Sequence, residues 1–155
     1  MSTTLQTRAR SAKAPKTIDG MLEEARAQLA RIYAFEIPAA IERGAILVDI
    51  RPQAQRAREG TLPGALAIER NVLEWRCDPA SSARLALAVG HDVEWIIVCS
   101  EGYTSSLAAA ALQQLGLHKA TDLVGGYQAL VAAGLVGAAA RASHFVRDAQ
   151  MLTST

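Results

Sequence analysis

The sequence predicts an α/β fold in which a five-stranded, mostly parallel sheet carries helices on both faces. Five short apolar stretches alternate with helical patterns along the chain, which is typical of parallel strands joined by right-handed crossovers. The stretch Trp95-Ile96-Ile97-Val98 contains no polar residue, as expected of a strand that is covered on both faces. The run rich in leucine and alanine that follows it ends at Gly116 and suits a helix lying close on the sheet.

The composition favours one domain. The chain has 155 residues, 50% of them hydrophobic, which is enough for one buried core but not for two. We expect a mobile basic tail over residues 1–18, a folded domain over 19–136, and a C-terminal helix or tail over 137–155.

Charge and cysteine content narrow the class of partner. The formal net charge is +1 and aromatic residues make up 5% of the chain, so nothing favours a nucleic-acid partner. No apolar run reaches the roughly 18 residues of a membrane span. The N-terminus lacks the apolar core of a secretory signal, so we expect a cytoplasmic protein with no membrane partner. Two cysteines in such a chain favour reactivity or burial over a disulfide.

The predicted elements begin with an amphipathic helix. Apolar residues recur at helical spacing from Ile18 to Ile32, and we interpret this helix as scaffold. A short strand over 31–33 is predicted next. A helix over 37–43 follows, and Gly44 is expected to close it.

The strand over 45–48 is predicted to end beside two charged residues. Asp49 and Arg51 follow it at the carboxyl edge of the sheet, where ligands gather in open parallel sheets. A site role and a structural ion pair both fit this placement, and we favour the ion pair. The next predicted elements are a polar helix, a turn and a strand, over residues 52–58, 60–64 and 65–68.

The stretch 69–79 is dense in charge and contains an aromatic residue. It follows the predicted strand over 65–68 at the carboxyl edge of the sheet. We expect it to form either a wall of a pocket or a solvated loop in which Trp75 fills a gap in the core. The remaining predicted elements are a helix over 80–89, the strand over 95–98, the helix ending at Gly116, a strand over 121–124, a helix over 127–133 and a terminal helix over 138–151.

The loop after strand 95–98 holds the strongest candidate for chemistry. Cys99 ends the strand and a helix begins shortly afterwards, so the loop N–H groups and the positive end of the helix can converge on the cysteine sulfur. Gly102 permits a tight turn, and the hydroxyls of Thr104 and Ser105 are expected to donate to a sulfur anion. Such a setting favours the thiolate.

Four motifs stand in a fixed order along the chain. They are Val48-Asp49-Ile50-Arg51, Gly60-Thr61-Leu62-Pro63-Gly64-Ala65, Cys99-x-x-Gly-x-Thr-Ser and Gly125-Gly126-Tyr127. In order and position they resemble the Asp-x-Arg, Gly-x-x-Pro-Gly-Ala, active-site loop and Gly-Gly-aromatic elements of the rhodanese family of sulfurtransferases. The resemblance covers roughly residues 30 to 135. It implies that the folded domain over 19–136 is rhodanese-like.

The resemblance also implies a sulfurtransferase reaction. Cys99 would take a sulfane sulfur from thiosulfate, mercaptopyruvate or a persulfide, and the Cys99 persulfide would pass it to cyanide or a thiol. No cofactor is implied. The expected partners are the small donor and the thiophilic acceptor, with an acceptor protein or a second copy of this chain as further candidates.

Two other functions remain open. One is a non-catalytic or sulfur-carrying rhodanese-like module with a binding or regulatory role, although such modules normally lack the loop cysteine. The other, less favoured, is a phosphatase of the related fold, whose longer loop places an arginine six residues after the cysteine to grip phosphate. This chain has Ser105 at that position.

The substrate-binding residues are predicted around Cys99. They are the loop and three arginines: Ser100, Glu101, Gly102, Tyr103, Thr104, Ser105, Arg51, Arg70 and Arg76. Many family loops carry a basic residue near the cysteine, whereas Glu101 should repel a dianionic donor unless an arginine compensates. We favour Arg70 and Arg76 for that role. The histidines are scattered without ligand spacing, so no metal site is predicted.

Overall fold

The computed structural model describes residues 14 to 142, which form a parallel sheet with helices on both faces. Its strands are β1 (Ile46–Asp49), β2 (Leu66–Ala67), β3 (Trp95–Val98) and β4 (Thr121–Asp122), in the order β2-β1-β3-β4. Every strand pair is parallel, so the predicted α/β class is confirmed. Residues 1–13 of the tail predicted over 1–18, and residues 143–151 of the predicted terminal helix, lie outside the described residues.

Six α-helices surround this sheet in the described residues. They are α1 (Ile18–Ala27), α2 (Ile37–Glu42), α3 (Gln53–Glu59), α4 (Leu73–Cys77), α5 (Thr104–Gln114) and α6 (Gly126–Ala133). Short 3-10 helices span Ala34–Glu36, Arg70–Val72 and Val136–Ala142. The last of these replaces the predicted terminal α-helix over residues 138–142.

The sheet has four strands among the described residues and not the predicted five. The chain near Ile32 makes a single parallel bridge to Leu123, in which Ile32 N–H donates to Asp122 O at 3.0 Å. The next residue, Tyr33, turns its N–H to the Glu36 carboxylate at 3.0 Å and starts a 3-10 turn. This local side-chain bond ends the pairing after one residue, so no strand forms.

The predicted helix over 80–89 is also wrong, because that segment runs through turns. Asp78 accepts from Ala80 N–H at 2.9 Å, and Ser81 Oγ accepts from Ala83 N–H at 3.0 Å. Such bonds to short polar side chains compete with helical ones. Leu85 still reaches the core, but from irregular backbone between two turns.

The helix α4 lies inside the stretch 69–79, for which a pocket wall and a solvated loop were both expected. Leu73 and Cys77, four residues apart, are fully buried on one side of it. Trp75 lies on the other side and is 60% exposed, so the proposed core plug is wrong.

Alternation along β3 builds the two halves of the core. Trp95 and Ile97 face one side of the sheet with residues of α4 and α5, while Ile96 and Val98 face the other side with residues of α2 and α6. All four residues are fully buried, as expected of a strand covered on both faces. The carboxyl end of β3, where Cys99 follows, is therefore held by packing on both sides.

Replacing Ile97 with alanine should lower the free energy of unfolding by about 2–5 kcal/mol, because it leaves a cavity in a fully buried layer. Urea denaturation measures the change. Val89→Ala is the control: Val89 is 79% exposed, so its substitution should shift stability by less than about 0.5 kcal/mol. Equal effects of the two changes would contradict the assigned core.

Candidate active site

Cys99 stands at the carboxyl end of β3 and is 4% exposed. The Gly102 N–H donates to its Sγ at 3.1 Å. Gly102 has φ +85°, and a Cβ there would lie 2.7 Å from Gly125 N, so a side chain would both strain the turn and push the loop away from α6. In the described residues this is the one loop N–H bonded to the sulfur, fewer than the sequence predicted.

The loop carbonyls are held from outside by the start of α6. Tyr127 N–H donates to Cys99 O at 2.8 Å, and Gln128 N–H donates to Ser100 O at 3.0 Å. A Cβ on Gly126 would lie 2.4 Å from Cys99 O, so only glycine permits this approach. The Gly-Gly-aromatic motif therefore packs against the outer side of the cysteine loop and holds it in place.

A buried carboxylate fastens the other end of the loop. Asp122 is fully buried and accepts hydrogen bonds from Ser105 Oγ at 2.8 Å and Ser106 Oγ at 2.7 Å. Arg31 completes its shell with two bonds of 2.8 and 3.1 Å. Ser105 therefore faces Asp122 and not the sulfur, because a buried carboxylate needs donors. The prediction that Ser105 donates to the sulfur is wrong for this structure.

Cys99 opens into a cavity of about 380 Å³. It is lined by residues after β1, on α3, in the cysteine loop and at the start of α5: Ile50, Arg51, Pro52, Gln55, Glu59, Cys99, Ser100, Glu101, Tyr103 and Thr104. The volume suits a small molecule.

Arg51 lies at the floor of this cavity and is 1% exposed. Its Nη2 bonds Asp49 Oδ2 at 2.6 Å, and its Nη1 lies 3.2 Å from Glu59 Oε1. The predicted ion pair between Arg51 and Asp49 is confirmed. Since two carboxylates match one guanidinium, Arg51 supplies no surplus positive charge to the cavity.

Glu59 links the arginine to the cysteine loop. Ser100 Oγ donates to its two oxygens at 3.0 and 2.9 Å. Burial alone would raise the pKa of Glu59, but the hydrogen bonds from Ser100 and Arg51 hold it below its ordinary value. Glu59 is therefore a carboxylate at neutral pH, and together with the exposed Glu101 it gives the cavity wall a negative character.

The predicted arginines Arg70 and Arg76 are not among the residues that line the cavity. Arg70 pairs with Glu74 at 2.7 Å along one helical turn, and Arg76 donates to Ala83 O at 2.7 Å. Both side chains are engaged with their own segment.

The structure brings most of the predicted loop together and adds residues that the sequence analysis missed. Ser100, Glu101, Tyr103 and Thr104 line the cavity, whereas Gly102 and Ser105 shape the loop. The missed residues are Arg26, Arg31, Gln55, Glu59 and Asp122. Glu59 directly precedes the turn motif that begins at Gly60, which is the one signal that could have found it.

The second cysteine is chemically quiet. Cys77 is fully buried, and burial, assisted by the nearby Glu74, raises the pKa of its thiol to about 12. It is therefore a protonated core residue at neutral pH. Both cysteines are free thiols.

Within residues 14 to 142, no group of three or more histidine, cysteine, aspartate or glutamate side chains could hold a metal ion. Nor does any helix within the same range have the length and apolar character needed to cross a membrane.

Comparisons with known proteins point to one family. The family model of the rhodanese-like domain matches residues 35–133 of this chain. The chain is similar to a solved protein of unknown function, possible tyrosine phosphatase, from Rhodopseudomonas palustris, with 28% identity and a TM-score of 0.70 over 79% of this chain and 95% of that one. No curated protein matches the chain.

Two more distant structures share the fold. Human single-domain sulfurtransferase TSTD1 has 24% identity and a TM-score of 0.53 over 66% of this chain and 95% of that one. A rhodanese-related protein from Thermoplasma volcanium has 22% identity and a TM-score of 0.52 over 67% and 92% of the two chains.

Removing the Arg51 side chain should be strongly destabilising. Arg51→Met leaves Asp49 and Glu59 without their cation, and we expect a loss of about 3–5 kcal/mol in urea denaturation. The matched control is Arg43→Met, whose partly exposed pair with Glu94 is worth less than about 1 kcal/mol. A loss at Arg51 no larger than that at Arg43 would contradict the assigned role of the buried pair.

Proposed function

The chain belongs to the rhodanese-like domain family, and on that premise we propose that it is a sulfurtransferase whose Cys99 carries the sulfur. One observation supports this most strongly: the Cys99 sulfur opens into a small cavity while a backbone N–H donates to it at 3.1 Å. A cysteine kept only for packing, such as Cys77, needs neither feature.

The proposed reaction has two displacement steps. The Cys99 thiolate attacks the outer sulfur of the donor, the S–S or C–S bond to that sulfur breaks, and the electron pair leaves with the remainder of the donor. The product is a Cys99 persulfide anion. An acceptor thiolate or cyanide then attacks the terminal sulfur, the persulfide S–S bond breaks, and the Cys99 thiolate returns. The two steps balance without an external oxidant or reductant.

The charge around the cavity favours a donor with little negative charge. Glu59 and Glu101 both line the wall, and the positive charge of Arg51 is already matched by carboxylates. A persulfide or mercaptopyruvate therefore meets less repulsion than the dianion thiosulfate. The predicted binding role of Arg70 and Arg76 has no support from the cavity lining.

A phosphatase reaction is the second candidate, because the structure from Rhodopseudomonas palustris is described as a possible tyrosine phosphatase. A cysteine phosphatase needs an arginine facing the phosphate at the end of the loop. Ser105 occupies that position and donates to Asp122. We therefore rank phosphatase activity below sulfur transfer. A non-catalytic or sulfur-carrying module is the third candidate, and the exposed cavity at Cys99 argues against the non-catalytic form.

We expect the reaction to take place in the cytoplasm, because a reducing compartment keeps the cysteine available as a thiol. The acceptor is a small thiol or cyanide in the simplest scheme. An acceptor protein or a homodimer stays a further proposal.

Cys99→Ser should abolish persulfide formation and sulfur transfer while leaving the fold intact, because the loop hydrogen bonds do not depend on nucleophilic chemistry. Intact-protein mass spectrometry after exposure to thiosulfate, mercaptopyruvate and a small persulfide measures the added sulfur atom, and a thermal melt checks the fold. Cys77→Ala is the control and should retain turnover. A persulfide that still forms in Cys99→Ser would overturn the assignment.

Glu101→Gln should lower KM for thiosulfate by roughly two- to fivefold, since it removes one repulsive charge from the cavity wall. The effect should shrink as salt is added, because the side chain is exposed. Steady-state kinetics with thiosulfate and a less charged persulfide measure both. Glu42→Gln, on α2, carries the same charge change away from the cavity and should have no effect. An unchanged KM for thiosulfate in Glu101→Gln would show that the charge of the cavity wall does not select the donor.

A further inference from the structure

Two arginines that precede the family match reach the cysteine loop. The match begins at residue 35, whereas Arg26 lies at the end of α1 and Arg31 lies just before the single bridge to Leu123. Arg26 Nη2 donates to Gly102 O at 2.8 Å and Arg31 Nη2 donates to the same oxygen at 3.1 Å. Two guanidinium groups therefore converge on one carbonyl of the active loop.

That carbonyl controls the direction of a loop N–H. In a planar trans peptide the C=O and the following N–H point to opposite sides, so fixing Gly102 O turns the Tyr103 N–H away from the arginines. A charged donor on a carbonyl also makes the N–H of the same peptide a stronger donor. Among residues 14 to 142 the Tyr103 N–H has no backbone or side-chain acceptor, which leaves it free to donate to a bound anion.

The two arginines differ in how their charge is matched. Arg31 forms a two-bond pair with the buried Asp122. Arg26 contacts Ser106 Oγ at 3.1 Å and stacks over the Tyr103 ring at 5.5 Å. No carboxylate lies within ion-pair distance of Arg26 among residues 14 to 142. Arg26 thus places a positive charge behind the loop. On the cavity side, Arg51, Arg70 and Arg76 supply no such charge.

We propose that Arg26 and Arg31 are positioning residues for the anion carried at Cys99. Arg31 ties Gly102 to the buried Asp122 and sets the shape of the loop, while Arg26 adds an unmatched positive charge behind it. The inference rests on the proposed function for the identity of the bound anion, a persulfide, but it applies equally to the Cys99 thiolate. The predicted scaffold helix then contributes directly to the site.

Several other charged or titratable groups surround the same loop, and all contribute to its potential. They are Asp49 at the end of β1, Arg51 after it, Glu59 on α3, Glu101 and Tyr103 in the loop, Asp122 on β4 and Tyr127 on α6. A test must therefore compare variants that change the charge at Arg26 alone. Arg26→Gln removes the charge, and Arg26→Lys keeps it.

The test is the rate of Cys99 alkylation by an anionic and by a neutral reagent, iodoacetate and iodoacetamide, at one pH and ionic strength. The alkylation rates of both reagents depend on the reactivity of the sulfur. Only the rate of the anionic iodoacetate also depends on the local electrostatic potential. Arg26→Gln should lower the iodoacetate-to-iodoacetamide rate ratio about threefold or more, and Arg26→Lys should recover most of it. The control Arg43→Gln, in the surface pair with Glu94, should leave the ratio unchanged. Cys99 labelling is followed by peptide mass spectrometry.

Arg31 is tested by Arg31→Lys, because full removal of the charge would strand the buried Asp122. We expect kcat for sulfur transfer to fall about tenfold or more with KM for the donor little changed, since lysine cannot bond Asp122 and Gly102 O together in the same way. A thermal melt accompanies each variant.

An alkylation ratio that is the same in the wild type and Arg26→Gln, with both folded, would overturn the electrostatic role of Arg26. Wild-type kcat in folded Arg31→Lys would overturn the positioning role of Arg31. Failure of the proposed function looks different: the wild type would form no persulfide with any donor, yet the alkylation ratio would still respond to Arg26→Gln.

Discussion

The active loop depends on hydrogen bonds that hold its carbonyl groups from the outside. Cys99 O and Ser100 O meet the first N–H groups of α6, and Gly102 O meets Arg26 and Arg31. Because each peptide is planar, these outer bonds orient the N–H groups of Ser100, Glu101 and Tyr103. The Gly102 N–H, which donates to Cys99 Sγ at 3.1 Å, lies between them in the loop. The absence of a Cβ at Gly126, which lets the backbones approach, is therefore as much a part of the site as the cysteine itself.

Charge is arranged around the same loop by pairing buried groups completely and leaving exposed ones unmatched. Asp49, Arg51 and Asp122 are all buried, and each has an ionic partner. This is expected, because an unpaired buried charge is costly. The cavity wall keeps a net negative charge from the exposed Glu101 and from Glu59, which shares Arg51 with Asp49. The partly exposed Arg26 lies behind the loop. The proposed function therefore depends on charges that are not already paired within the buried core.

Local patterns were enough to predict β3, the position of Cys99 at its end and the Gly-Gly turn, because strand burial, a strand-end cysteine and a tight turn are encoded within a few residues. The predictions of a fifth strand and of a helix over 80–89 were wrong, because the side chains of Glu36, Asp78 and Ser81 redirect the backbone by accepting hydrogen bonds from it. The contact of Arg26 with Gly102 spans 76 residues and that of Arg31 with Asp122 spans 91. No periodicity in the sequence reports such pairings, so only the fold could reveal them.

Placing the positive charge behind the loop has a consequence that a basic residue inside the loop would not have. A cation inside the loop attracts the sulfur and also any anionic donor that enters the cavity. Arg26 acts through the backbone and the Tyr103 ring from the far side, whereas Glu59 and Glu101 stand on the wall that the donor meets. The field therefore favours negative charge at the sulfur and disfavours it on the incoming molecule. A site built this way stabilises its own anion without selecting for dianionic donors, which is the charge preference that we propose for this rhodanese-like domain.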